Sequence, residues 1–346
     1  MKRILPLVLI LILLLSVTNV YAYGGVTHYM TCNKTYTKMI SESLPDDYII
    51  INKSNCDFTQ LNNNWYIVEE SCTIGQAPIG PFQPGGVRIN GEVHIVIGDG
   101  VTLSVQGGFG TEHPGSRQGE LHVHGVQYGN CNLEIQGMFA DKAVIDGFHN
   151  CAFGPGIDLK EFSVYGCNVT ITGATGAKGV APLDACGKDG YAAIENTNVN
   201  IFNSTIKAYG GQGGDSGSKR ALQGPNNGGN GACAIQSCEV DLVSGTLELY
   251  GGEGGKKLIG SGGNGYPGDS KKSSSVHTKN ASVRNADTGE SINLDDIQDY
   301  QSVIITTNNL TVATIISDAS PIIVVLVLLI IVAALIIVIK RKKSRA

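Results

Sequence analysis

Apolar and polar side chains alternate through VNIFNSTIKAYGG at 199 to 211, and the alternation returns 41 residues later in VDLVSGTLELYGG at 240 to 252. A period of two marks a half-buried strand, and recurrence at fixed spacing marks stacked repeats. Three earlier copies keep the same core of apolar, polar, apolar and Gly: Val169, Ile171 and Gly173; Leu133, Ile135 and Gly137; Leu103, Val105 and Gly107. The spacings differ through the Gly-rich excursion that follows each copy. Within one unit, Val199, Ile201, Ser204, Ile206 and Ala208 are predicted to point inward, with a turn at Asn203 resetting the face. Stacking in register then sets Lys207 beside Glu248, in an outward row with Thr170, Glu134 and Ser104.

Units made of strand and turn, with no helical period between them, predict an all-β fold: a right-handed parallel β-helix (solenoid) over residues 85–269. Residues 23–84 hold fewer glycines and more Asn, Tyr and Cys, and are expected to cap the first repeat, with strands at Tyr48 to Ile51 and Trp65 to Val68. Residues 270–320 read either as a polar stalk or as a C-terminal cap. The two ends have another texture. Residues 1–22 have the basic start, apolar core and small-residue end of a signal peptide. Residues 321–339 are 19 residues without a polar side chain, long enough for one transmembrane α-helix, and the basic tail 340–346 predicts a type I single span with the N-terminus outside. The expected location is therefore the plasma membrane, at the cell surface.

Composition sharpens this picture in two places. Seven of the 25 basic residues lie in the terminal segments, leaving 18 against 30 acidic ones, a balance near −12 for the body. Such a surface argues against nucleic acid as a partner. Nine cysteines in a secreted chain predict disulfides with one cysteine left over. Cys131 and Cys167 share a register position on neighbouring repeats, which suits either a disulfide or two stacked thiols, and Cys233 and Cys238 would close a short loop. Six glycosylation sequons begin at Asn33, Asn52, Asn168, Asn203, Asn280 and Asn309, with Asn168 and Asn203 expected at the surface.

Candidate chemistry is sparse. His122 and His124 share a strand face, with His94 about one repeat earlier; three imidazoles suit zinc, yet without a recognisable fourth ligand they read as solvated strand histidines. Asp141, Asp146, Asp184, Asp189 and Asp215 lie in Gly-containing loops, where turn formation explains Asp; a lyase or hydrolase would need Asp141, Asp146, Asp158 or Asp184 to converge. GDSGS at 214 to 218 has no matching base, and the Gly-rich runs do not join a strand to a helix, so no catalytic residue, metal or cofactor is expected. Tyr209 and Tyr250 share an outward position, either as a two-ring ligand platform or as a packed cross-strand stack.

Trp65, Tyr66 and Val68, then Ile95, Ile97, Asp99, Gly100 and Leu103, then strands ending in Gly210, Gly211, Gly251 and Gly252 carry a resemblance. Over roughly 65 to 256 the chain resembles the glycine-rich β-helical repeat regions of secreted and surface-anchored microbial proteins. That resemblance implies an adhesin-like or carbohydrate-binding surface protein without an assigned catalytic site. Three functions follow for the whole chain: adhesion or surface recognition of an extracellular glycan or protein; a polysaccharide lyase or hydrolase using converging carboxylates; or a structural surface coat.

Overall fold

The structure, a computed structural model, describes residues 26–75, 86–110, 118–127, 129–137, 154–179, 186–217, 226–259 and 261–312. The chain divides into two compact units, Met1–Thr311 and Val312–Ala346, and of the second only Val312 is among the described residues.

Alternation in the sequence becomes three sheets, of seven, eight and eight strands among the described residues. Successive strands enter successive sheets: Glu92–Ile97 the second, Thr102–Gln106 the third, Phe109–Gly110 the first, and Glu120–Gly125 the second again. Each strand therefore pairs in parallel with its counterpart in the next repeat. In the third sheet Leu103, Leu133, Val169, Ile206 and Leu247 align across five strands, and Val105, Ile135, Ile171, Ala208 and Leu249 form the next row. These rows are buried, and with Val93, Leu121, Phe162, Val199 and Val240 of the second sheet they form one apolar column. Val199, Ile201, Ser204, Ile206 and Ala208 are all buried, and Asn203 makes the turn with φ +44°.

The stack is finished differently at its two ends. Residues 49–75 supply parallel strands to all three sheets, so the N-terminal region is continuous with the repeats. Its hairpin, His28–Cys32 with Met39–Ser43, lies outside the second sheet, where Met30 and Met39 pack on Phe202. At the other end Ser302–Thr307 pairs antiparallel with both Gly245–Tyr250 and Ser282–Asn285. Between residues 270 and 307 the strands Lys271–Lys272, Ser275–Thr278, Ser282–Asn285 and Ser302–Thr307 thus belong to the three sheets, with a 3-10 helix at Leu294–Asp299.

The Gly-rich excursions have a separate order. The outgoing arms at 210–216 and 251–256 bond through every third residue: Gly210 N–H to Tyr250 O at 2.8 Å, Gly213 to Glu253 at 2.8 Å and Ser216 to Lys256 at 2.9 Å. The intervening positions turn elsewhere, Gly211 donating to Tyr191 and Gly214 to Lys188 on a returning arm, each at 2.8 Å. A three-residue repeat of this kind is that of polyproline II chains packed side by side, which leave their backbone groups free for lateral bonds. Gly is needed because of proximity: a Cβ on Gly211 would overlap Ala174 O, and one on Gly229 would overlap Lys188 O.

These features correct the expected right-handed solenoid with a transmembrane helix. The chain is mostly β, but its sheets are stacked layers and not a clear solenoid; excursions of unequal length leave the sheets as glycine arms, and antiparallel strands end the third sheet. No helix among the described residues is long and apolar enough to cross a membrane. The expected signal peptide, span and basic tail, residues 1–22, 321–339 and 340–346, lie outside the described residues. The single-span membrane partner and the plasma-membrane location are accordingly not supported.

Candidate functional site

The outer face of the second sheet carries a ladder of flat rings. Strand alternation sends Glu92, His94 and Val96 outward from one strand, and His122 and His124 from the next. Parallel register puts His122 beside His94 and His94 beside Trp65, while His124 adjoins Tyr165 and Tyr165 adjoins Phe202. The rings stack accordingly: Trp65 on His94 with centroids 4.0 Å apart at 7°, His94 on His122 at 4.7 Å, His124 on Tyr165 at 4.8 Å, and Tyr165 on Phe202 at 4.9 Å. Each such contact contributes about 0.5–1.5 kcal/mol beyond area burial. Tyr29 of the N-terminal hairpin closes over Trp65 and His124, its hydroxyl donating to Glu42 at 2.9 Å. The histidines expected to be solvated are therefore part of a packed layer.

Their protonation is set by fixed partners. His124 is 2% exposed, and burial holds its imidazole well below the usual range. Its Nδ1 lies 2.9 Å from the Met30 carbonyl oxygen, which only accepts, so Nδ1 carries the proton and Nε2 a lone pair. That Nε2 is 3.2 Å from His94 Nδ1, which must then be the donor. His94 Nε2 lies 3.1 Å from Glu92 Oε1, a hydrogen bond when the ring is protonated at both nitrogens and a lone pair facing a carboxylate oxygen when it is neutral. The same carboxylate oxygen is 3.9 Å from His122 Nε2, a buried nitrogen with no hydrogen-bond partner. Burial, then His122, lower the pKa of His94, while Glu92 opposes them. Sequence reading found the three imidazoles but missed Glu92, although it stands two residues before His94 on the same strand face.

A second grouping lies on the outer face of the third sheet. Tyr209 and Tyr250 are stacked with centroids 4.8 Å apart at 9°, and the Tyr250 hydroxyl donates to Glu248 Oε2 at 2.9 Å. Lys207 Nζ is 3.3 Å from the same oxygen, the pairing that the repeat spacing predicts. Along the row before Tyr209 come Thr172, Gln136 and Gln106. The next rows hold Ser104, Glu134 and Thr170, then Thr102, Asn132 and Asn168, so this face is polar throughout. An open groove lined by Asn198, Glu239, Lys271 and serines offers polar groups but no aromatic ring.

The remaining candidates are dispersed. Cys131 and Cys167 are buried thiols just before the paired strands Asn132–Gln136 and Asn168–Thr172, with Cys131 Sγ 3.6 Å from Gly166 O. Cys233 and Cys238 are also thiols, directed to Gln236 Oε1 at 3.7 Å and to Gln236 O at 3.2 Å. Of the sequon asparagines, Asn280 and Asn309 are exposed, and Asn33, Asn52 and Asn168 half-buried. Asn203, expected at the surface, is 2% exposed because the chain near Leu310 covers it. Asp158 neighbours Glu195 across paired strands; Asp189 and Asp215 accept from backbone N–H groups of Asn230 and Lys256. Asp141, Asp146 and Asp184 lie outside the described residues. No protein-family model, curated protein or solved structure matches this chain.

Proposed function

We propose that the chain is a recognition protein that holds a glycan on the outer face of its third sheet. One observation carries the reading: the Tyr209–Tyr250 stack, with Tyr250 fixed by Glu248, stands next to the short side chain of Thr172 and then Gln136 in a single row. Strands are about 4.8 Å apart. With Thr172 between them in the row, the Tyr209 ring and the Gln136 amide stand about two strand spacings apart. A sugar ring presents an apolar face for the aromatic ring and hydroxyls for the amide, Thr172 and Lys207. Because the two tyrosines cover each other on their inner faces, only the outer ring faces are available for stacking. The row thus favours one sugar at Tyr209 with further units running along the strand-to-strand direction.

The test is binding of the purified chain to a glycan array, with product analysis of each hit. Retention of an intact glycan, lost in the Tyr209→Ala, Tyr250→Ala double variant, is the expected result. Shortened products would replace this reading with a lyase or hydrolase. Silence on the array would replace it with a protein partner or a structural coat.

A further inference from the structure

We propose that Glu92, His94 and His122 form a binding site for a first-row divalent transition metal ion, zinc foremost. Each of the three residues offers one ligand atom within 4.8 Å of the others, and Glu92 Oε1 lies 3.1 Å from His94 Nε2 and 3.9 Å from His122 Nε2. The hydrogen-bond chain from Met30 through His124 to His94 fixes His94 Nδ1 as a donor and turns its Nε2 to Glu92 Oε1 at 3.1 Å. The buried His122 Nε2, which has no hydrogen-bond partner, is the third candidate ligand atom. A cation at this point would take a lone pair from each imidazole and from the carboxylate in place of any proton between them.

The donor set and its geometry select the ion. Two imidazoles and one carboxylate suit zinc, whose bonds of about 2.0–2.2 Å give a tetrahedral edge near 3.4 Å. The carboxylate-to-imidazole separations of 3.1 and 3.9 Å bracket that edge. His124 supplies the outer support that zinc-binding histidines usually have, an acceptor on the other ring nitrogen. Glu92 has a side chain 55% exposed, which leaves the fourth coordination position open to water. An all-oxygen ion such as calcium or magnesium is disfavoured by the imidazoles.

Trp65 is the only tryptophan of the chain and stacks on His94, so its fluorescence reports directly on the site. The purified chain, stripped with chelator, is titrated with zinc chloride, and then with cobalt chloride to read coordination geometry from visible absorption. Expected are a saturable change in Trp65 fluorescence at one zinc per chain and the intense absorption of tetrahedral cobalt. Glu92→Gln, at an exposed position that leaves the fold intact, and His122→Asn should each weaken binding by roughly tenfold or more. His277→Asn, at an exposed histidine 3.7 Å from Glu239 with no third ligand, should leave it unchanged. Absence of saturable zinc binding would overturn the proposal, as would equal affinity in Glu92→Gln and His122→Asn.

Discussion

Asn203 and Leu310 exchange two hydrogen bonds across 107 positions of sequence: Asn203 Nδ2 donates to Leu310 O at 2.8 Å, and Leu310 N donates to Asn203 Oδ1 at 2.6 Å. The side chain thereby acts as a short strand partner for the C-terminal segment, while its backbone N–H is held by Ser244 Oγ at 2.8 Å. Asn tolerates the positive φ of this turn better than other side chains. Asn203→Ala loses both bonds and meets left-handed strain, and is expected to cost about 2–3 kcal/mol. Chemical denaturation should show this loss, with faster hydrogen exchange at the Leu310 amide. Asn203→Gly should recover about 1 kcal/mol of it by removing the strain alone.

Glu195 couples stability to pH. Burial, and then Asp158 on the paired strand, raise its pKa above the ordinary value, while Gln236 Nε2 donates to its Oε1 at 3.1 Å. The folded chain holds this proton at pH values where the unfolded chain has released it. Its contribution is therefore complete below the unfolded pKa and declines as pH rises through the folded one. Glu195→Gln should stabilise the protein at pH 7 by about 0.5–1 kcal/mol and make little difference near pH 4, as measured by thermal unfolding across that range.

Glycine arms make a sharper prediction. Gly229 donates to Gly214 O at 2.8 Å and passes against Lys188 O. Gly229→Ala forces two backbones apart, and a cost of about 2–4 kcal/mol is expected, in the range of overpacked cores. The same substitution at Gly263, where nothing lies within 4 Å of an added Cβ, should be nearly neutral. Paired melting curves of the two variants measure the contrast.

Thiol reactivity should follow burial. Burial pushes Cys233 up to about 11 and Cys238 up to about 12, and Cys167 well above its ordinary value. Attack requires both thiolate and access. Native alkylation should therefore spare Cys131, Cys167, Cys233 and Cys238 while labelling half-exposed Cys56, by at least about an order of magnitude in rate. Non-reducing peptide mapping checks the same four residues for the sequence-derived pairings.

The register of the third sheet was legible in the sequence because apolar, polar and Gly positions repeat there without a slip; Lys207 and Glu248 meet as their spacing implies. The second sheet was harder to read. Its outward row, Val96, His124, Tyr165 and Phe202, is apolar and aromatic on a face that alternation assigns to solvent, since the covering hairpin comes from nearly a hundred residues away. The same distance hid the role of His124, whose partner is the carbonyl of Met30. Glycine arms left no side-chain pattern at all, so Gly211 and Gly214 looked like loop. Asn203 resembled a surface sequon because its cover, Leu310, lies in a different part of the chain.

Lateral bonding at every third residue also constrains how this protein can change in length. An insertion of one or two residues into the arm at 210–216 would rotate Gly213 away from Glu253 and turn side chains into spaces that admit only hydrogen atoms. Three residues restore the phase, provided that the returning arm at 226–232 lengthens by the same step. Natural variants of these excursions should therefore differ in paired triplets, so that the excursions lengthen in whole turns while the sheets beneath them keep their register.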